Sequence, residues 1–119
     1  MTSPSVPRRG DVWTVDFDPV VGSEQGKSRP ALVIQNDIGN RYSPVLIVAA
    51  ISSGRTARYD VQVEVKALEG GLQHDSLVLL NQIRTVDKQR LGRFWGCLSP
   101  ETMRQVDRAI EISLGLVPF

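Results

Sequence analysis

Glu24, Gln25, Lys27, Ser28 and Arg29 lie within a short stretch that Pro30 closes. Gly22 and Gly26 flank the Glu-Gln pair, which is loop rather than element chemistry. Proline has no backbone N–H, so it belongs at the first residue of a strand or at a sheet edge. It also biases the residue before it toward an extended backbone. Arg29 is therefore expected at the mouth of a polar loop, carried on rigid scaffold. A planar guanidinium there suits an anionic ligand, because its donor fork matches phosphate or carboxylate oxygens.

The other chemistry-bearing residues are scattered. The chain has one histidine and one cysteine, far apart, which argues against a zinc site. No acidic cluster points to magnesium, so no metal ligand and no cofactor is expected. His74 lies in the turn-like stretch 70–75 and is not taken as a catalytic base. Cys97 has no partner for a disulfide and sits among Phe94, Trp95 and Leu98, where a small buried hydrophobe is expected.

With 119 residues, 41% hydrophobic and 23% charged, the chain is expected to fold as one domain over residues 8–119. Net charge is +1, so any phosphate contact must come from a local arrangement rather than the overall field. No apolar run approaches the roughly 20 residues that span a bilayer. Residues 1–7 lack the apolar stretch of a signal peptide and read as a loose tail, making the cytoplasm the expected compartment.

Residues 11–18 alternate Trp13, Val15 and Phe17 with Thr14 and Asp16, the period of a half-buried strand. Residues 30–35 and 44–52 are near-continuously apolar, as expected of strands covered on both faces. Residues 36–43 carry turn chemistry in Asn36, Asp37, Gly39 and Asn40. Residues 59–65 alternate and predict another strand. So do 76–82, with 83–87 continuing or bending it, then a helical turn at 88–91 and a short strand at 92–98. Ser99 is an N-cap, Pro100 fits the first helical position, and Glu101 complements the helix dipole. Met103, Val106, Ile110 and Leu114 predict one apolar stripe on a terminal helix that Gly115 closes. The fold class is mainly β (α+β), a small curled antiparallel barrel with a C-terminal α-helix packed outside.

The ordered stretches 9–13 (Arg-Gly-Asp-Val-Trp), 19–26 (Pro-Val-Val-Gly-Ser-Glu-Gln-Gly), Arg29-Pro30, 35–37 (Gln-Asn-Asp) and 82–91 (Gln-Ile-Arg-Thr-Val-Asp-Lys-Gln-Arg-Leu) resemble the MazF/PemK toxins of bacterial toxin–antitoxin pairs. The resemblance covers residues 8–119. It implies an SH3-like barrel of the CcdB/PemK type. It further implies a homodimeric ribonuclease that cuts single-stranded RNA, including mRNA, at short sequences without a metal. The expected partner is an antitoxin that lays an acidic, extended segment across the RNA groove.

In that family the arginine of the Arg-Pro pair and a threonine at the end of a following strand are catalytic. Arg29 matches the first, and the threonine position falls on Ser52, which keeps the hydroxyl but lacks the methyl group that fixes its rotamer. Alternation aims Ser53 at the other face. Cleavage of this kind uses the RNA's own 2′-OH and leaves a 2′,3′-cyclic phosphate and a 5′-OH. Arg29 would clamp the scissile phosphate, and Ser52 would hydrogen-bond a phosphoryl oxygen or relay a proton. Glu24 reads either as general base or orienter of Arg29, or as a solvated loop carboxylate.

Gln25 and Gln82 offer amides for base edges; Lys27, Ser28, Arg55 and Arg58 offer phosphate contacts. Asn36 reads equally as an RNA contact or a turn cap, and Tyr42 as a stacking platform or core. Trp13, Phe17 and Trp95 are expected in the core, and the remaining basic residues on a solvated face. Two other readings are a non-catalytic CcdB-like gyrase poison and an RNA-binding module. The end of the chain, Leu-Val-Pro-Phe, lacks the Trp-Gly-Ile by which CcdB acts, and the serine at 52 is what keeps the binding module in play.

Overall fold

Val12 and Leu32 turn one way, while Trp13, Val15, Ala31 and Val33 turn the other, and all six are buried. That alternation builds a sheet with a core on each face. The computed structural model describes residues 4–118. Its strands are β1 (Asp11–Asp16), β2 (Ser28–Val33), β3 (Val45–Ser53), β4 (Gln62–Val65), β5 (Ser76–Asp87) and β6 (Leu91–Cys97). They lie in the order β4-β5-β3-β2-β1-β6, each neighbour antiparallel. Helix α1 (Asp37–Tyr42) joins β2 to β3, and α2 (Pro100–Ser113) follows β6. Of the expected tail, residues 1–3 lie outside the described residues, and residues 4–7 carry no helix or strand.

One core joins Ala49 and Ile51 of β3 to Val12, Leu32, Val78 and Leu80, and is closed by Val106 and Ala109 of α2. The other joins Leu46, Val48 and Ala50 to Trp13, Phe17 and Leu79, with the Trp13 and Phe94 rings edge to face at 5.3 Å. Burial on both faces is why β2 and β3 read as apolar runs.

The two ends of the sheet meet through glycines. The short 3-10 turn Glu69–Gly71 beyond β4 packs against β6, and a Cβ on Gly71 would lie 2.1 Å from the Trp95 carbonyl oxygen. Gly71 also has φ +76°, a backbone that other residues adopt at a cost. Gly71→Ala is therefore expected to lower stability by about 2–5 kcal/mol, adding left-handed strain to a backbone clash. A denaturant melt checks it; an unchanged midpoint would mean that β6 does not need this approach.

Several expectations are corrected. Within 36–43, residues 37–42 form a helix, not a turn: the Asn36 side chain accepts from the Gly39 N–H and caps α1, and buried Asn40 anchors it. Asp37 accepts from the Arg9 N–H at 2.7 Å and from the Asn40 amide, and the two bonds hold its carboxyl below the ordinary pKa. Residues 59–61 are not strand; the Gln62 side chain accepts from the Arg58 N–H and closes a turn there. Residues 76–87 do run as one strand, as expected, bent by a register shift opposite Ala49 and Ala50. Pro30 is interior to β2, not its first residue. Leu114 is exposed beyond the last turn of α2, while Met103, Val106 and Ile110 pack on the core as expected, joined by Thr102 and Ala109. Cys97 is exposed at the end of β6, an edge strand of the sheet. Trp95 is half-buried rather than core, and Tyr42 is 77% exposed on α1.

Candidate active site

The β2–β3 ladder runs from Val33 opposite Val48 to Ala31 opposite Ala50 and then stops, while β2 stays paired with β1 down to Ser28. The two central strands therefore part at the end of the sheet where the β1–β2 loop emerges. Continued on the same register, Arg29 falls opposite Ser52, so the guanidinium and the hydroxyl stand on adjacent strands and the same face. Pro30 lies in this parted stretch, and it has no N–H to offer β3. Both Arg29 and Ser52 are half-buried. Ser53 is exposed and alternates to the face of Ile51, as its position in the strand requires.

The Arg29 side chain is fixed by its own loop. Its Nε donates to the Gly26 carbonyl at 2.9 Å, leaving the terminal nitrogens of the guanidinium for a ligand. Gly26 needs its small size: a Cβ there would lie 2.8 Å from Asp18 Oδ1 and from a Val20 methyl. Lys27 has φ +63°, and its N–H donates to Asp18 Oδ1 at 2.7 Å, which turns the chain into β2. The Glu24 carboxylate accepts from the Val21 N–H within the loop. Orientation of Arg29 is thus supplied by the Gly26 carbonyl, where the sequence suggested Glu24.

Gln25 meets the far strand through its N–H, which donates to Gln82 Oε1 at 3.4 Å. Glu24, Gln25, Gln82 and Arg84 line one small cavity of about 60 Å³ with Phe17 and Ala50. The loop thus brings Glu24, Gln25, Lys27, Ser28 and Arg29 to the same end of the sheet as Ser52 and Gln82. Asn36 and Arg58 lie apart, and Arg55 is held in a surface ion pair just beyond the end of β3. Asn36 follows the opposite end of β2, on the order of 20 Å along the strand from Arg29, and its oxygen is engaged in the cap. Arg55 pairs with Asp75 at 3.3 Å on the surface. Arg58 lies beside Arg104 and Arg108 of α2, lining an open cavity of about 500 Å³.

Two residues expected on a solvated face belong to this arrangement. Arg84 donates to the Phe17 and Pro19 carbonyls, and Arg90 donates to those of Asp16 (2.9 Å) and Asp18. Both guanidiniums grip the base of the β1–β2 loop from the far end of β5 and the turn after it. The signal available in the sequence was their place in the stretch 82–91. Arg84→Ala is expected to leave the fold intact and lower activity about 10- to 100-fold, the scale of a misplaced catalytic group. Faster amide hydrogen exchange at residues 20–26 would show that the loss comes through the loop, and unchanged exchange would refute that.

Residues 8–114 match the family of PemK-like, MazF-like toxins of type II toxin–antitoxin systems. The chain is 54% identical over 113 residues to endoribonuclease EndoA of Bacillus subtilis (strain 168), covering 94% of this chain and 97% of that protein. It is 51% identical over 113 residues to endoribonuclease MazF of Staphylococcus epidermidis, covering 94% of each. Among solved structures, MazF from Deinococcus radiodurans superposes with a TM-score of 0.80 at 26% identity, over 94% of this chain and 99% of that one. An endoribonuclease in complex with its cognate antitoxin, from a mycobacterial species, does so with a TM-score of 0.78 at 25% identity, over 95% and 98%. The chain belongs to the PemK-like, MazF-like toxin family of type II toxin–antitoxin systems.

Proposed function

We infer that this chain is the toxin of a toxin–antitoxin pair and an endoribonuclease that cuts single-stranded RNA at specific short sequences without a metal. The observation that supports the reading is the end of the β2–β3 ladder at Ala31 and Ala50, beyond which the same register carries Arg29 opposite Ser52 beside the Gly22–Gly26 loop. The high identity to two endoribonucleases over nearly the whole chain supports the same activity.

The chemistry follows from the donors present. The 2′-OH of the nucleotide before the cut attacks the adjacent phosphorus, and the P–O5′ bond breaks. This leaves a 2′,3′-cyclic phosphate on one fragment and a 5′-OH on the other. Arg29, pre-aimed by the Gly26 carbonyl, offers charged N–H donors to the phosphorane oxygens, where negative charge grows. Ser52 donates a hydrogen bond to a phosphoryl oxygen or relays a proton. Glu24, the carboxylate in the cavity shared with Gln25 and Gln82, accepts the 2′-OH proton. Gln25 and Gln82 read base edges, while Lys27 and Ser28 contact phosphates; Asn36, Arg55 and Arg58 take no part at the cut itself.

The reading includes a homodimer and residues 8–119 acting as one ribonuclease domain. It also includes an antitoxin whose acidic, extended segment competes with RNA for Arg29. The structural neighbour solved with its cognate antitoxin supports such a partner. Among the described residues no helix is long and apolar enough to cross a membrane, and a cytoplasmic site of action fits an mRNA substrate. The test is a digest of a long RNA by purified protein in excess EDTA, with every cut mapped and its ends identified. Discrete cuts with 2′,3′-cyclic phosphate and 5′-OH ends support the reading. Absence of cutting by folded protein would favour a gyrase poison, checked by a supercoiling assay, or a binding module.

A further inference from the structure

A second cavity, of about 280 Å³, opens through the same gap between β2 and β3. Pro30, Ile51 and Leu72 give it apolar lining, Trp95, His74 and Gln73 its aromatic and polar lining, and Ser52 borders it at the end of β3. Trp95 is held in place there. Its indole N–H donates to Thr14 Oγ1 at 2.8 Å, and the Arg93 guanidinium sits 4.3 Å from the ring centroid. Thr14 is the direct cross-strand partner of Pro30, so the indole is anchored beside the gap. The Ser76 hydroxyl donates to the His74 carbonyl at 2.8 Å, which fixes the backbone of the His74 loop while the imidazole stays exposed.

Resting on the endoribonuclease reading, we propose that this cleft is the subsite for one nucleobase flanking the scissile phosphate. Trp95 supplies the aromatic surface, and His74 and Gln73 read the base edge. Three features select a base. The cleft touches Ser52, so its occupant is the neighbour of the phosphate that Ser52 and Arg29 hold. It is smaller than the roughly 300–1,000 Å³ of typical ligand pockets, room for one planar group and its sugar. It pairs a fixed aromatic ring with side chains that both donate and accept, the combination that recognises splayed single-stranded bases. The cleft lies on the α2 side of the sheet, toward Ile51, whereas the Gln25–Gln82 cavity lies on the other, toward Ala50. Successive nucleotides can thus turn to opposite faces as the strand crosses the gap.

The test uses full-length protein and an RNA oligonucleotide built on a cut site of the wild type. A 2′-deoxy residue at the scissile position blocks cleavage, and an abasic ribose replaces one flanking nucleotide at a time. Removing the base at one flank is expected to weaken wild-type binding between about 5-fold and about 150-fold, the range of a single base–aromatic stack. The same removal should change binding by Trp95→Ala less than about 2-fold. His74→Ala, on an exposed loop where folding is not at stake, should flatten the base preference at that position alone in cut-site mapping. The proposal is overturned if abasic penalties are equal in wild type and both variants, or if His74→Ala keeps the full base preference. It is also overturned if Trp95→Ala weakens antitoxin binding and leaves the RNA penalties intact, which would make the cleft a protein-docking site. Wild type that cuts no RNA at all defeats the reading beneath, and that is seen before any variant is made.

Discussion

Arg29→Ala is expected to lower RNA cleavage by about 10²–10³-fold or more, with no loss of the folded state. The size follows from the role. A guanidinium at the developing phosphorane charge acts where water is partly displaced, so its loss leaves that charge without a charged donor fork. Arg84 and Arg90 are nearby cations, but their nitrogens are engaged with the carbonyls of residues 16–19. The fold should survive because Arg29 is half-buried at a strand mouth, and its one side-chain bond is to the carbonyl of Gly26 in its own loop. Arg29→Lys separates charge from geometry: a lysine keeps the charge but loses the planar fork. It should recover only part of the rate. Single-turnover cleavage of one oligonucleotide, with a melt of each variant, reads both effects. A folded Arg29→Ala protein that cuts at the wild-type rate would remove Arg29 from the mechanism.

The fold was largely legible where burial is periodic. The alternation of Trp13, Val15 and Phe17 gave β1, and Ser99, Pro100 and Glu101 gave the start of α2, because these signals act within a few residues. The expectation failed where a single side chain decides. α1 is short and exists because Asn36 caps it and Asn40 is buried beneath it, interactions that composition does not separate from a turn. Strand β4 starts late because Gln62 reaches back to the Arg58 N–H. Cys97 and Leu114 are exposed because of the place of their elements, an edge strand and a helix end, which no local pattern records.

The site was legible in its residues and not in its assembly. Arg29 and Ser52 stand out through the Arg-Pro pair and the strand-end hydroxyl, yet their place opposite one another depends on the β2–β3 register, whose last pair is Ala31 with Ala50. The grip of Arg84 and Arg90 on the loop consists of side-chain bonds to carbonyls more than sixty residues away in sequence. Asn36 offers an amide of the kind that reads a base edge, but the direction of β2 carries it to the other end of the strand. Trp95 reads as core because it sits on an apolar stretch. An edge strand left it half-open beside the gap, where its neighbours give it a different use.

Ser52→Ala should lower cleavage by about 10²-fold, the scale of losing one hydrogen-bond donor to the transition state. Ser52→Thr should preserve or raise the rate. Both outcomes follow from where the hydroxyl sits. Ser52 is at the end of β3, past the last pair with β2, so no β2 ladder pair fixes the backbone beside it on that side. On the other side it pairs with Leu77 of β5. A threonine keeps the hydroxyl and adds a methyl group, which narrows the rotamers in a strand and prepays part of the ordering that the reaction requires. Stability should barely change in either variant, since the side chain is half-buried with no internal hydrogen bond among those of the described residues to lose. The decisive comparison is the single-turnover rate of the three proteins on one oligonucleotide at saturating enzyme. If Ser52→Ala matches wild type while Ser53→Ala fails, the hydroxyl in use is Ser53, and the RNA phosphate lies on the α2 face of the sheet, with the Trp95 cleft, instead of the face of Ala50.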